Sequence, residues 1–283
     1  MGLRFRPISF NFMVYARNVR KEKIKMEDYK FKYIYGPVSS WRLGSSLGID
    51  PLAQEVKICS FNCVYCQLGE KGVMTLERKI YVPAEKIIEE LKRVPDVKVD
   101  YVTFSGTGEP TLAGNLEEII DGIKMIRKEP LAILTNASLF SQEEVRKSLN
   151  KIDFVIAKLD ACCQEVLEKV NRPVNGVDFA HIIKGIKKFR KDYQGRFGIQ
   201  IMFVNQNKDS ASAIAEILEE IRPDEVQLNT PLRPCGVNPL SVQDMEEIEA
   251  CFRKFNVRMV YKAEHKKVNP LSDGDTLKRR GKI

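Results

Sequence analysis

The chain lacks any apolar run close to the ~20 residues that a membrane-spanning helix needs. It also lacks internal repeats and low-complexity tracts, which excludes repeat architectures. Its first residues include arginines and a short apolar patch. Pro7 and Asn11 interrupt that patch, however, and no clear small-residue cleavage site follows, so we expect no secretory signal peptide. The seven cysteines are odd in number and spaced unlike a disulfide scaffold, which predicts a reducing, cytoplasmic location.

The 283 residues are 43% hydrophobic and 30% charged, enough to bury the core of one large domain. The net charge of +8 is uneven. Residues 1–32 hold nine Lys and Arg against three Asp and Glu, and residues 252–283 hold ten against three. Such basic ends are typical of a protein with a polyanionic partner such as RNA. A charged surface that only favours solubility, or heat adaptation, explains them equally well.

The rest of the chain alternates short β-rich runs with amphipathic helical segments. Strands are predicted at 55–59, 100–106, 131–136, 153–160, 197–204 and 224–230, with a last one at 257–262. Helices are predicted at 83–94, 115–128 (capped by Asn115), 141–149, 161–170, 177–191, 210–221 and 242–255, the last with Cys251 on its apolar face. Six such β/α units predict a parallel α/β sheet, either open or curled towards a barrel. Ligands bind such sheets at the carboxyl ends of the strands.

Three cysteines, Cys59, Cys63 and Cys66, follow the first predicted strand within eight residues. A structural zinc site usually needs a second pair of ligands. Here a composite site would have to draw on more distant residues: Cys162, Cys163, Cys235, Cys251 or His265. A ferredoxin-type cluster would need a fourth thiolate. A [4Fe–4S] cluster held by three thiolates leaves one iron without a protein ligand, and that iron can bind a substrate or cofactor.

This spacing, with the aromatic Tyr65 before the last cysteine, resembles the signature of the radical S-adenosylmethionine (radical SAM) superfamily. The resemblance covers roughly residues 50–230 and implies a partial (β/α)6 barrel of parallel strands. It implies a [4Fe–4S] cluster ligated by the three cysteines and S-adenosylmethionine chelated to the open iron. An electron donor such as a ferredoxin or flavodoxin would drive cleavage to methionine and a 5′-deoxyadenosyl radical. That radical would abstract hydrogen from the substrate.

The resemblance also implies cofactor contacts at later strand ends. A turn after the second predicted strand, with Gly106, Thr107, Gly108 and Glu109, matches the family's contact to the methionyl ammonium, although Thr107 replaces a glycine. Polar residues that end the third and fourth strands match contacts to the ribose or the methionyl carboxylate: Asn136 and Asp160. Helix caps or turn residues are the alternative at both positions. Two further candidates for such contacts are Asn205, which follows the fifth strand, and Asn229, which ends the sixth.

Residues 35–52, 229–235 and the terminal TLKRRGKI resemble one branch of the superfamily. Its members are uncharacterised iron–sulfur oxidoreductases distantly akin to the tRNA wybutosine-synthesis enzyme. The opening of that branch more often reads Pro-Ser-Arg-Arg where this chain has Ser39-Ser40-Trp41-Arg42. Its substrate is unknown, so RNA, a small metabolite, a peptide and a protein all stay open.

We therefore divide the chain into a basic extension (1–32), a radical SAM partial barrel (33–235) and a C-terminal helix, strand and basic tail (236–283). No catalytic residue is identified, although a thiol at Cys235, after the sixth strand, could face the substrate. We expect residues 278–282 to be mobile and able to reach a phosphate backbone, so that removing residues 277–283 should weaken salt-sensitive binding to tRNA. The alternative to an enzyme is a cysteine–metal module, with zinc or an iron–sulfur cluster, that only braces a fold or binds a partner.

Overall fold

The computed structural model describes residues 31–280. The basic extension predicted at 1–32 therefore lies almost entirely outside the described residues. The domain limits proposed from the sequence stay predictions. No helix within the described part of the chain is long and apolar enough to cross a membrane.

One curled sheet of eight strands forms the centre of the molecule, in the order β1–β2–β5–β6–β7–β8–β9–β10. Only β1 is antiparallel, paired with β2 as a hairpin; the other neighbours run parallel. The strand bounds are Ile34–Ser40 (β1), Gly44–Ile49 (β2), Tyr101–Phe104 (β5), Leu131–Thr135 (β6), Phe154–Lys158 (β7), Arg196–Met202 (β8), Glu225–Asn229 (β9) and Val257–Met259 (β10). The predicted partial barrel is confirmed.

Eight helices are described between and after the strands, and those that connect parallel strands cover the outer face of the sheet. Their bounds are Ala84–Lys92 (α1), Leu116–Ile126 (α2), Glu143–Leu149 (α3), Gln164–Val170 (α4), Phe179–Asp192 (α5), Ala211–Ile221 (α6), Val242–Cys251 (α7) and Asp273–Arg280 (α8). In α2 the apolar face consists of Ile119, Ile120 and Ile123, all fully buried, as the helical spacing predicts.

Side chains on β6 and β7 alternate between two apolar regions, as the two-residue period of a strand requires. Ile133 and Val155 point to the main core under the helices. Ala132, Phe154 and Ile156 point to the inside of the curl, where they pack with Leu43. This inner cluster fills one part of the barrel, and the polar strand ends lie beyond it.

The strand predicted at 55–59 was expected to be the first of the barrel, and that prediction is wrong. Residues 57–59 form β3, which pairs with Gly72–Met74 (β4) in a separate two-stranded sheet. The first parallel strand of the barrel is β2, whose GSSLGI sequence is poor in strand-forming residues. The glycines there have a packing role, because a Cβ at Gly48 would lie 2.2 Å from the ring of Tyr35.

Three smaller expectations also differ from the structure. Asn115 stands at the start of α2 but does not cap it; its amide donates to the carbonyl of Val82 at 3.0 Å. Cys251, expected on the apolar face of α7, is exposed. The tail expected to be mobile is helical through residue 280, and Arg279 is buried against the barrel.

Candidate metal and cofactor site

The loop that carries Cys59, Cys63 and Cys66 is held at both ends. Lys57 is buried, and its ammonium donates to Asn62 Oδ1 at 2.6 Å and to the carbonyl of Gly69 at 2.7 Å, which joins the start of the loop to its end. Backbone hydrogen bonds tie residues 60–64 to residues 170–174, at the end of α4 and just after it. The three cysteines are therefore presented on an ordered loop.

The three thiols lie close enough together for negative charge on Cys63 and Cys66 to affect the pKa of Cys59. Burial is the main reason that the pKa of Cys59 lies far above its ordinary value, and negative charge on Glu109, Cys63 and Cys66 adds to the effect. Burial, followed by the Asp160 carboxylate, raises the pKa of Cys63 to about 11. Within residues 31–280 no three Cys, His, Asp or Glu side chains surround a point where one metal ion could sit. The donor set fits a cluster, in which each thiolate binds its own iron.

Two asparagine amides donate hydrogen bonds to the cysteine sulfurs. Asn136 Nδ2 lies 3.7 Å from Cys59 Sγ, and Asn171 Nδ2 lies 3.4 Å from Cys63 Sγ. Asn136 Nδ2 also donates to Ser60 Oγ at 2.9 Å. Such N–H donors suit sulfurs that carry negative charge, as the ligands of an iron–sulfur cluster do.

The first asparagine is held by Glu109, whose carboxylate is fully buried. Glu109 Oε1 accepts from the backbone N–H and the hydroxyl of Thr111 and from the hydroxyl of Thr135, at 2.7–3.0 Å. Its Oε2 accepts from the backbone N–H of Asn136 at 2.7 Å. The net effect of burial is to raise the pKa of Glu109, although these donors oppose the shift. Since a carboxylate has about four acceptor sites, Oε2 retains one for a ligand.

Asp160 holds the second asparagine by its side-chain amide, whereas Glu109 holds the first by its backbone N–H. Asp160 Oδ2 accepts from Asn171 Nδ2 at 2.7 Å and from the hydroxyl of Tyr65. Its Oδ1 accepts from the backbone N–H of Met202 at 2.7 Å and lies 3.2 Å from the ammonium of Lys158. Burial holds the pKa of Tyr65 well above its usual range, so this phenol stays protonated. Each predicted carboxylate is thus connected to a cysteine sulfur through its own asparagine. Asn136 connects Glu109 to Cys59, and Asn171 connects Asp160 to Cys63.

The glycine-rich turn binds the cysteine strand to the barrel. Gly108 has no room for a side chain, because a Cβ there would lie 1.6 Å from the carbonyl oxygen of Ile58. Ile58 exchanges backbone hydrogen bonds with Thr107 and Glu109, each 3.0 Å long. The Gly108 backbone therefore packs directly against β3, at Ile58, the residue before Cys59. It does not face an open cavity.

The other half of this turn rests on a buried aspartate. Asp50 follows β2 and accepts from the backbone N–H of Thr107 at 3.2 Å and from its hydroxyl at 3.3 Å. Gly106, with φ of +133°, lies against the same side chain, since a Cβ would be 2.3 Å from its Cγ. Arg279 Nε on α8 donates to Asp50 Oδ2 at 3.1 Å, and both side chains are almost fully buried.

The remaining cysteines lie outside this arrangement. Cys235 is half-buried and packs with Val64 and Tyr65 beside the cysteine loop, where its thiol donates to the carbonyl of Val237 at 3.2 Å. Its role as a catalytic residue stays a prediction. Cys162 and Cys163 are half-buried at the start of α4, and His265 is exposed.

Sequence reasoning missed three residues that shape the site: Lys57, Asp50 and Asn171. Asn171 carries a weak signal, because it directly follows α4 and stands two positions before Pro173, where a helix is expected to have ended. Its pairing with Cys63 joins residues 108 positions apart, which no local pattern reveals.

Comparison with known proteins gives relatives along most of the chain. A UPF0026 protein from Synechocystis is 42% identical over 72% of this chain and 77% of its own length. A UPF0026 protein from Methanocaldococcus jannaschii is 34% identical over 78% of this chain and 71% of its own. A probable GTP 3′,8-cyclase from Saccharolobus solfataricus is 28% identical over 73% and 65% respectively.

Solved structures share the fold at low sequence identity. SuiB from Streptococcus suis, bound to S-adenosylmethionine, superposes with a TM-score of 0.57 at 16% identity over 72% of this chain. The match spans 48% of the SuiB chain, about half its length. Archaeal TYW1 superposes with a TM-score of 0.51 at 16% identity, over 75% of this chain and 72% of its own.

The profile of the radical SAM superfamily matches residues 56–221, which include the three cysteines, the glycine-rich turn and both asparagine–carboxylate pairs. That span is more than half of the sequence. The chain belongs to the radical SAM superfamily and is a radical SAM enzyme, of a family whose cofactors are a [4Fe–4S] cluster and S-adenosylmethionine.

Proposed function

We propose that Cys59, Cys63 and Cys66 ligate a [4Fe–4S] cluster with one open iron and that S-adenosylmethionine binds there. When bound, the reduced cluster supplies the electron that cleaves S-adenosylmethionine to methionine and a 5′-deoxyadenosyl radical, which takes hydrogen from the substrate. The protein's own part is to hold the thiolates, orient the cofactor and exclude water. The two amide donors that reach cysteine sulfurs support this assignment.

The observation that carries the proposal is the fully buried carboxylate of Glu109 beside thiols. Asn136 connects the two groups, since its backbone N–H donates to Glu109 Oε2 and its Nδ2 lies 3.7 Å from Cys59 Sγ, so the carboxylate and the thiolate repel when both are ionised. A cation placed between them would remove that cost. The ammonium of S-adenosylmethionine is such a cation, and the remaining acceptor site of Glu109 Oε2 suits it.

Partners and location are part of the same proposal. The electron would come from a ferredoxin or flavodoxin, and the substrate, still unidentified, could be RNA. All seven cysteines are free, which supports a reducing compartment such as the cytoplasm. The sequence alone also allowed a cysteine–metal module that only braces a fold, and such a module would leave S-adenosylmethionine intact.

Anaerobic reconstitution separates these two functions. We expect the protein to take up iron and sulfide and, once reduced, to convert S-adenosylmethionine into 5′-deoxyadenosine and methionine, slowly, without substrate. Metal analysis, sulfide analysis and chromatography of the products measure this. A colourless protein that binds zinc and leaves S-adenosylmethionine intact would favour the metal-binding module.

Glu109→Gln is expected to weaken S-adenosylmethionine binding by roughly ten- to a hundred-fold, because a charge-assisted hydrogen bond contributes about 1.5–3 kcal/mol. Equilibrium dialysis on reconstituted protein measures the affinity, with iron content determined in the same samples. The matched control is Thr135→Val, which removes one donor to Glu109 Oε1 but leaves the charge. Unchanged affinity in an iron-loaded Glu109→Gln protein would show that the carboxylate only holds the turn together.

Asn171→Ala is expected to make the reduction potential of the bound cluster more negative. The reduced cluster carries more negative charge, so loss of an N–H donor at Cys63 Sγ destabilises it more than the oxidised form. A redox titration followed by electron paramagnetic resonance measures the shift. Asn175→Ala, at an exposed position of the same loop, is the control and should leave the potential unchanged. An equal potential in both variants would contradict a tuning role for Asn171.

A further inference from the structure

The buried side chain of Lys57 contacts the cysteine loop at both of its ends. Lys57 is 4% exposed. Its Nζ donates to Asn62 Oδ1 at 2.6 Å, one residue before Cys63. It also donates to the carbonyl oxygen of Gly69 at 2.7 Å, three residues after Cys66. The ammonium therefore lies against the segment that carries two of the three proposed cluster ligands.

The third ligand, Cys59, shares a face of β3 with this lysine. Side chains two residues apart on a strand point to the same side, and Ile58, between Lys57 and Cys59, is buried in the main core. Gly72 on β4 leaves room for the lysine, because a Cβ at Gly72 would lie 2.9 Å from Lys57 Cβ. The strand period and the two hydrogen bonds thus bring the ammonium close to all three cysteine positions.

Among residues 31–280, the Lys57 ammonium pairs with neutral groups only. Both of its acceptors are amide oxygens, one from a side chain and one from the backbone. Buried charges are normally paired with an opposite charge, as the buried Arg279 is with Asp50. An ammonium has three N–H donors, and the two oxygens take two of them, which leaves one donor for an anionic group.

A cluster held by the three thiolates would supply the missing negative charge. The reduced form of such a cluster carries one more negative charge than the oxidised form, and its net charge and surroundings set its reduction potential. A buried cation beside it therefore stabilises the reduced form more than the oxidised form. Little solvent screens the interaction, because Lys57 is buried.

We infer that Lys57 is the counter-ion of the cluster and raises its reduction potential, which makes the cluster easier to reduce. This inference rests on the proposed function, because it concerns the same three cysteines. In the reduction, one electron passes from a reduced ferredoxin or flavodoxin to the cluster, and no bond of Lys57 forms or breaks. The lysine acts through the cluster and is a positioning residue.

The test is a redox titration of the reconstituted proteins, followed by electron paramagnetic resonance, with iron content determined in the same samples. At a fixed potential, Lys57→Met should lower the ratio of reduced to oxidised cluster about tenfold or more, a shift of about 59 mV for a one-electron couple. Lys57→Arg keeps the charge and should keep most of the potential. The control Lys71→Met removes an exposed lysine next to β4 and should leave the ratio nearly unchanged, because solvent screens that charge.

Asn62→Ala separates the charge of Lys57 from its mechanical role. This variant removes one acceptor of the ammonium and leaves the ammonium itself in place. If Lys57 only ties the loop together, the Asn62→Ala and Lys57→Met proteins should show the same shift, and that result would overturn the inference. The counter-ion role predicts a clear shift in the Lys57→Met protein alone. A Lys57→Met protein with the potential of the unaltered protein would also overturn the inference.

If the Lys57→Met protein takes up no iron, the Lys57→Arg protein decides the question. Normal iron uptake by Lys57→Arg would support the need for a cation at this position. Loss of iron from Lys57→Arg as well would overturn the inference, by showing that the shape of the lysine matters and its charge does not. A failure of the proposed function is distinct from these results, because the unaltered protein itself would then take up no iron–sulfur cluster, and both proposals would fall.

Discussion

Replacing Cys59, Cys63 or Cys66 singly by alanine is expected to lower the iron content from about four atoms per chain to near zero, since two thiolates hold a cluster poorly. Formation of 5′-deoxyadenosine should then fall below detection. Iron and sulfide analysis, with chromatography of the products after anaerobic reduction, measures both quantities. The effect should be the same at all three positions, because each thiolate binds a separate iron.

The control for this loss is Cys251→Ala, which removes an exposed thiol outside the site. A second control is Cys162→Ala, at the start of α4. Both variants should keep iron, sulfide and product formation. If an alanine variant of the cysteine loop kept its iron, or if the Cys162→Ala protein lost it, the ligand assignment would be wrong.

Arg279→Met is expected to destabilise the fold by about 3–5 kcal/mol, because it leaves the Asp50 carboxylate buried without its cation. For a chain of this size that corresponds to a fall in melting temperature of roughly 6–20 °C. Asp50 also supports Thr107, so S-adenosylmethionine should bind more weakly in the folded fraction. Thermal unfolding and equilibrium dialysis measure the two effects.

Lys278→Met is the matched control, since Lys278 is an exposed neighbour on α8. It should leave the melting temperature nearly unchanged. Equal melting temperatures for the Arg279→Met and Lys278→Met proteins would show that α8 contributes little to the barrel. The pair also corrects a test that the sequence suggests: deleting residues 277–283 to weaken RNA binding would remove Arg279 and disturb the fold itself.

The sequence predicts the helices and most strands because their apolar periodicity is strong, as in α2 and β7. It fails at β2, where glycines and serines give little strand signal and the pairing with β1 and β5 decides the structure. It also misplaces residues 57–59, whose neighbour is β4 and not the barrel. Pairing between distant segments is the information that a single sequence does not display.

In the candidate site, too, local signals are visible in the sequence and contacts between distant segments are not. The cysteine spacing and the residues at the strand ends identify Cys59, Glu109 and Asp160 as members of one site. Local patterns do not show that each carboxylate acts on its cysteine through an asparagine, because those contacts join separate strand ends and loops. Nor do they show that Arg279, in a basic tail that looks solvent-exposed, lies buried against Asp50.

The most direct test of the central claim is electron paramagnetic resonance of the reduced, reconstituted protein, recorded before and after addition of S-adenosylmethionine. We predict the signal of a reduced [4Fe–4S] cluster whose g values change when the cofactor is added, because the cofactor binds the open iron. A signal that S-adenosylmethionine leaves unchanged, or a protein that gives no iron–sulfur signal at all, would contradict the claim.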